Sequence, residues 1–280
     1  MHAAKVLGAV ALVIGVGLTG AAAKDWKKVV IGMEGAYEPY NLTGSDGKIV
    51  GFEPDVAMDA CKRMKVECTI IAQDWDGMIP GLNAGKFDVI MDGMSITDER
   101  KKQIDFSIPY ASVPAALATA KAGPLAKLAA TGKVVNFNKD KAAGDAALKE
   151  LRAALKGKTL GVQVSTTHAT FAGNHLKDVA EIKEYKTTDD RDLDLKSGRI
   201  DAVLDDETAI AAMLSKPDAK DFAMFGPELT GGDFGIGVGM GLRKADADLT
   251  KRFDEALKAA FKDGSIKKAS LKWFKIDTTP

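Results

Sequence analysis

The run Leu82-Asn-Ala-Gly-Lys-Phe-Asp-Val-Ile-Met-Asp92 returns, in loose form, as Leu195-Lys-Ser-Gly-Arg-Ile-Asp-Ala-Val-Leu-Asp205. Each copy reads as a helix end, a glycine stop, a basic residue and a short apolar strand that finishes on a carboxylate. The copies lie more than a hundred residues apart, a domain's worth of chain. The pattern predicts two similar α/β lobes, each offering the loop after its strand to the space between them. Any α/β chain can hold such units by chance, and the copies share only four identities, so the rest of the chain has to carry the reading.

The order of elements carries it. Residues 29–31 read as a strand and 54–64 as a helix, with Val56, Ala57, Ala60 and Met64 on one face. A strand at 67–72, a short helix at 78–84 with Pro80 in its first turn, and a strand at 87–91 complete a parallel α/β unit. The order then restarts. A strand at 159–164 leads into a helix opened by Ser165-Thr166-Thr167 and running to Leu176, followed by a strand at 182–185, a helix at 190–196 and a strand at 200–204. Between the two units lies 123–158, polar and rich in Ala and Lys, in which 142–155 reads as a surface helix. Near the end, 231–241 reads as a glycine-spaced strand, and 249–261 and 266–274 as amphipathic helices. The glycines lack the Gly-x-x-x-x-Gly-Lys-Ser/Thr spacing and open no helix, which argues against a nucleotide.

Residues 1–23 have a different character. A short basic start with His2 and Lys5, an uncharged stretch over 6–18 and Ala21-Ala22-Ala23 read as a secretory signal peptide cleaved after about Ala23. The apolar run is shorter than the roughly 20 residues of a spanning helix. A periplasmic location follows as an expectation. It permits a disulfide between Cys61 and Cys68, a pair with no histidine or second cysteine pair nearby to suggest zinc. Lys plus Arg equals Asp plus Glu, at 39 each, so neither nucleic acid nor an acidic membrane surface is the expected partner. No cofactor and no metal are expected.

The chemistry gathers at loop positions. Thr97 reads as an N-cap with Asp98 and Glu99 in the first helical turn, yet Arg100 follows, where a cation is unfavourable by up to about 1 kcal/mol. Arg100 either pairs with its neighbours or holds a carboxylate bidentately over the helix start. Ser165-Thr166-Thr167 opens a helix after a strand and is either an ordinary N-cap or an anion site. Asp205-Asp206-Glu207 is either a solvated turn or a set of acids facing a cation. A guanidinium in one lobe with carboxylates and hydroxyls in the other is what a zwitterion needs. His168 and His175 read as surface helix residues.

The runs Gly51-Phe-Glu-Pro-Asp-Val56, Asp74-Trp-Asp-Gly-Met-Ile-Pro-Gly-Leu, Ser95-Ile-Thr-Asp-Glu-Arg-Lys-Lys and Asp105-Phe-Ser-Ile-Pro-Tyr110 resemble the polar amino-acid-binding proteins of bacterial ABC importers, solute-binding protein family 3. The resemblance covers nearly all of 27–276, and the cysteine pair resembles the lysine/arginine/ornithine- and histidine-binding branch. It implies an α/β periplasmic-binding-protein type II fold, two lobes joined by a two-strand hinge with the ligand cleft between them. By this resemblance the first lobe is 24–114 plus 232–280 and the second is 115–231, with 123–158 as an extended connector. Arg100 would clamp an α-carboxylate with backbone N–H groups at Ser95 and Thr167. Asp206 would take the α-ammonium, with Ser95 and the Gly93 carbonyl. Tyr37 and Trp75 would sandwich the side chain, a cation–π arrangement of about 0.5–2 kcal/mol, and Glu34 would meet its distal charge. Met94 and Thr166 complete the expected ligand set.

The chain also departs from that branch. Asp92 stands where serine is usual, Ser165-Thr166-Thr167 replaces a more usual Gly-Ser-Thr, and Gln163 occupies a specificity position. The expectation is a monomeric, non-enzymatic receptor that closes on a basic L-amino acid, or a derivative such as an opine, and delivers it to a membrane permease. The alternatives are a binder of a polar uncharged amino acid and a dehydratase acting on cyclohexadienyl substrates on the same fold, with Glu34, Asp92 or Glu207 as general acid.

Overall fold

The structure, a computed structural model, describes residues 24–128 and 132–280. The expected signal peptide and its cleavage site lie outside the described residues. Two α/β lobes are built on two sheets. The first sheet has the order Glu67–Ala72, Lys28–Met33, Val89–Ile90, Gly241–Leu242, Asp105–Phe106. Its first three strands are parallel, and Gly241–Leu242 runs antiparallel to both neighbours. The second sheet has the order Glu181–Tyr185, Thr159–Gln163, Ala202–Asp206, Ala115–Ala120, Phe222–Thr230, Val134–Asn136. Its first three strands are also parallel, and Ala115–Ala120 is antiparallel to both neighbours.

Strand side chains alternate between two apolar layers in each lobe. Val29, Ile31 and Met33 pack with Phe52, Phe253 and Leu257 of the helices Phe52–Met64 and Ala247–Lys262, whereas Val30 faces Met78, Leu82 and Phe87. In the second lobe Leu117 and Leu204 pack with Phe171, while Ala116, Ala118 and Val203 pack with Ile210 and Met213. Covering both faces of a largely parallel sheet leaves the strand ends as the place for a ligand.

The repeated sequence unit is a repeated structure. Gly85 and Gly198 both stop their helices with positive φ, at +75° and +73°. The next aromatic or aliphatic residue fills the space over a glycine of the neighbouring strand: a side chain on Gly32 would meet Phe87, and one on Gly161 would meet Ile200. The aspartate then accepts a backbone N–H of that strand region, Asp88 from Val30 at 3.0 Å and Asp201 from Thr159 at 2.9 Å.

Several expectations shift. Residues 231–241 do not form one strand. They begin with the 3-10 turn Gly232–Phe234, and only Gly241–Leu242 pairs as a strand. The segment passes so close to Ile96 that a Cβ on Gly235, φ +79°, would lie 2.3 Å from the Ile96 carbonyl oxygen. The segment 123–158 is part of the second lobe's packing. Val134–Asn136 forms a sheet edge, and the helix Lys141–Ala154 is a surface helix that buries one stripe, Gly144, Ala147 and Leu151. No described helix is long and apolar enough to cross a membrane.

Cys61, on the helix Phe52–Met64, and Cys68, on the strand Glu67–Ala72, form a disulfide with S–S 1.98 Å. The closed loop is small, so the chain-entropy model assigns it about 2–3 kcal/mol. Replacing both cysteines by alanine should lower the denaturation free energy by about that amount and leave ligand affinity unchanged. Denaturant titration and calorimetry on the same sample check both halves.

Candidate functional site

The cavity between the lobes lies at the carboxyl ends of the parallel strands. Glu34 follows Lys28–Met33, Trp75 follows Glu67–Ala72, and Asp92 follows Val89–Ile90. From the opposite lobe come Gln163, at the end of Thr159–Gln163, and Asp205 and Asp206, at the end of Ala202–Asp206. The lobes touch directly around it. Tyr37 Oη donates to Asp205 Oδ1 at 2.8 Å, Tyr40 Oη to Asp206 Oδ2 at 3.0 Å and Trp75 Nε1 to the Val164 carbonyl at 2.9 Å. Gln163 Nε2 donates to Glu34 Oε1 at 2.9 Å, and Lys216 pairs with Glu38 at 3.0 Å.

Arg100 owes its position to the helix start. The Thr97 hydroxyl accepts the Arg100 N–H at 3.2 Å and opens the helix Asp98–Gln103. The guanidinium then turns back, donating to the Ser95 carbonyl at 2.9 Å and the Ser165 carbonyl at 3.2 Å, over the Trp75 ring at 5.3 Å. It is 9% exposed and forms no ion pair with the described residues. Burial lowers its pKa to about 10, partly opposed by Asp206, so it stays charged at neutral pH. A buried cation lacking a carboxylate is costly unless one is supplied. Beside it, Thr166 caps the nine-residue helix Thr167–His175 by accepting the Ala169 N–H at 3.0 Å, so a helix N-terminus adds positive potential at the same place.

The three adjacent acids divide their work. Burial pushes Asp205 up, but Arg191 and His168 outweigh it and hold its carboxyl below the usual range. Arg191, itself 1% exposed, bonds Asp205 and donates to Asp192 Oδ1 at 2.8 Å. Asp205 is therefore spoken for. Asp206 has Tyr40 Oη as its side-chain donor, and Glu207 is only half-buried. Of the two readings of this run, a solvated turn does not hold, because Asp205 and Asp206 are buried.

His168 corrects the sequence reading. It is 6% exposed, with Nδ1 3.8 Å from Asp205 Oδ1 and Nε2 3.4 Å from Asp206 Oδ1, and its Nε2 makes no hydrogen bond. His175 is half-exposed beside Asp233 at 3.1 Å. A signal was available. His168, Phe171, Ala172 and His175 are spaced i, i+3, i+4, i+7, which marks one buried face of a helix.

On the first lobe the acids cluster. Asp92 Oδ1 accepts the Glu34 N–H at 3.0 Å and Asn41 Nδ2 at 2.7 Å. The same amide donates to Glu53 Oε2 at 2.7 Å, and Glu53 Oε1 accepts the Gly93 N–H at 2.7 Å and the Tyr110 hydroxyl. Burial raises Glu34 and Glu53 to about 7 each, and raises Asp92 well above its ordinary value. Gly93 needs its glycine: φ is +58°, and a Cβ would stand 2.6 Å from the Tyr37 ring.

One cavity thus brings together Glu34, Tyr37, Trp75, Asp92, Gly93, Ser95, Arg100, Gln163, Thr166, Thr167 and Asp206, with His168 and Asp205 added. Met94 does not line it. Its side chain is buried in the first lobe's core beside Ile96. Tyr37 lines the cavity while stacking on Tyr40, centroids 5.0 Å apart. Glu53 and Asn41, which hold Asp92 and Gly93 in place, were not among the expected site residues. The donors of His168, Asp205 and Asp206 lie within 4.8 Å of one another, but Asp205 is already neutralised by Arg191, and a divalent ion there would face that fixed cation.

Comparison with known proteins gives the same picture. Residues 29–276 match the model of "Bacterial extracellular solute-binding proteins, family 3". The chain is 42% identical to the octopine-binding periplasmic protein of Rhizobium meliloti, covering 94% of this chain and 95% of that one. It is 35% identical to the L-arginine-binding protein of Pseudomonas aeruginosa, covering 90% and 89%. Among solved structures, an ancestral arginine-binding protein bound to arginine superposes with a TM-score of 0.74 at 30% identity, covering 89% of this chain and 98% of the other.

Proposed function

The chain belongs to family 3 of the bacterial extracellular solute-binding proteins, and we propose that it captures a cationic L-amino acid, or an opine built on one, in the periplasm and hands it to an ABC importer. The observation that carries this reading is Arg100, a buried guanidinium without a carboxylate partner among the described residues, sharing one cavity with Asp206. A zwitterion supplies both missing charges: its α-carboxylate for Arg100 and its α-ammonium for Asp206. Glu34 and Asp92 sit in the same cavity and favour a positively charged side chain, flanked by Tyr37 and Trp75. The relatives named for octopine and L-arginine support the same ligand class.

In this reading the chain crosses between lobes at about 114/115 and 231/232, just before the strand Ala115–Ala120 and just after Phe222–Thr230. Closure brings Arg100 and Ser165 together across the cleft, and opening separates them. The protein is a binder rather than a dehydratase, because a zwitterion clamp accounts for Arg100 and Asp206 with no catalytic step.

A thermal-shift panel on protein freed of ligand by unfolding and refolding tests the reading. Arginine, lysine, ornithine or octopine at a hundred times its dissociation constant should stabilise by about 2.7 kcal/mol, while acidic and apolar amino acids should do nothing. No shift with any cationic ligand would overturn it.

A further inference from the structure

We propose, building on the reading above, that Asp92 and Glu34 form a two-carboxylate fork that selects a planar guanidinium over an ammonium and releases a proton as it loads. Asp92 is 1% exposed and lines the cavity. Its Oδ1 is fixed by the Glu34 N–H at 3.0 Å and by Asn41 Nδ2 at 2.7 Å, but its Oδ2 has no hydrogen-bond partner among the described residues. A buried acceptor left alone is rare and costly, so this oxygen calls for either a proton of its own or a donor from the ligand. Glu34, in the same cavity, is held on both oxygens by Gln163 alone among the described residues, at 2.9 and 3.2 Å. A guanidinium offers five N–H donors in one plane and can serve two carboxylates side by side. An ammonium offers three, arranged tetrahedrally.

The charges around the fork decide its proton. Glu53 stands beyond Asn41, Tyr37 and Tyr110 flank it, Asp74 and Asp189 add their charge at Glu34, and Arg100, His168, Asp205 and Asp206 line or face the cavity. None of the cations among the described residues forms an ion pair with Asp92, and Arg191 is committed to Asp192 and Asp205. Burial raises Glu34 to about 7, and burial with the charges of Glu34 and Glu53 lifts Asp92 well above its ordinary value. Near neutral pH the free pair therefore holds a proton. When a guanidinium arrives, one carboxyl O–H bond breaks, its proton leaves to the buffer, and the new carboxylate balances the ligand's charge.

The sign of the linkage follows. While the fork holds its proton, binding must expel it, so affinity should rise with pH, by up to about tenfold per unit for each proton released, and level off once the fork is ionised. The free protein should do the opposite. Folded pKa values raised above the unfolded ones mean that it loses stability as pH rises towards about 7.

The test is calorimetric titration of L-arginine and of L-lysine into refolded, ligand-free protein at mildly acidic pH, in two buffers of different ionisation enthalpy, with Asp92→Asn alongside. In that variant the amide oxygen can keep the bonds to Glu34 N–H and Asn41, which leaves its NH2 opposing the ligand's donors. Wild type should release about one proton with arginine. Asp92→Asn should release clearly fewer, lose about tenfold or more in arginine affinity and change much less for lysine. Arginine bound without proton release, or an Asp92→Asn variant of unchanged arginine affinity, would overturn this inference and leave the proposed function standing. If arginine, lysine and octopine all fail to bind, both fall. The wild-type proton count does not depend on how well the variant folds.

Discussion

Arg100→Ala should weaken ligand capture by about thirtyfold or more while leaving the free protein as stable as before, or more stable. The guanidinium rests on two carbonyls and an indole face and forms no ion pair with the described residues. Its desolvation is only partly offset in the free state, by two carbonyls and the charge of Asp206, so burial draws its pKa down to about 10. Removing a cation of this kind relieves the scaffold of a penalty. In the proposed complex the same cation would meet the ligand's carboxylate, and truncating one member of such a buried pair costs about 2–5 kcal/mol, a loss of roughly thirtyfold to several thousandfold in affinity. Melting of the free protein and calorimetry on the complex separate the two effects. A variant that loses stability when free and keeps its affinity would make Arg100 structural.

Arg191→Ala should do the reverse. Arg191 is 1% exposed and ties Asp192 and Asp205 together, inside the second lobe alone. Its loss leaves two buried carboxylates without their cation, a change worth about 3–5 kcal/mol of stability. Asp205 has a folded pKa below its ordinary value, so its contribution is present above the unfolded pKa of about 3.8 and fades as pH falls through the folded one. The gap between wild type and Arg191→Ala should therefore be fullest near neutrality and narrow in acid. Denaturant titrations at neutral and acidic pH measure it. A loss no larger than that of Arg100→Ala, or a gap that widens in acid, would contradict this assignment.

The sequence carried the architecture because its repeat encodes geometry. The glycine, the apolar residue and the aspartate of each copy perform the same three jobs in both lobes: Gly85 and Gly198 end helices, Phe87 and Ile200 fill over glycines, and Asp88 and Asp201 bind a neighbouring strand. The cavity residues were legible where charge sat against local preference, as at Arg100 in a helix's first turn. Other features were not, because they depend on contacts across the chain. Asp205 and Asp206 look alike in sequence and differ only because Arg191 reaches one of them. His168 is buried by its neighbours Phe234 and Asp205, more than thirty residues away in sequence. The stretch 231–241 has a strand's composition, but its close passage by Ile96 demands glycine conformations that break the strand.

The recovered repeat ends on Asp92 and Asp205, and both final carboxylates face the same cavity. One is silenced by Arg191, and the other keeps a free oxygen. In the proposed complex this would leave Asp206 for the ligand's ammonium and Asp92 for the far end of its side chain.

The most direct measurement compares L-arginine with agmatine, which differ only in the α-carboxylate that the proposed function assigns to Arg100. L-Arginine and octopine carry an α-carboxylate, and agmatine has the same guanidinium arm without it. Titrated by calorimetry into the refolded protein, arginine or octopine should bind at one site, and agmatine at least about a hundredfold more weakly, as loss of a buried charge pair requires. Agmatine binding as tightly as either, or no binding by arginine or octopine, would contradict a zwitterion held between Arg100 and Asp206.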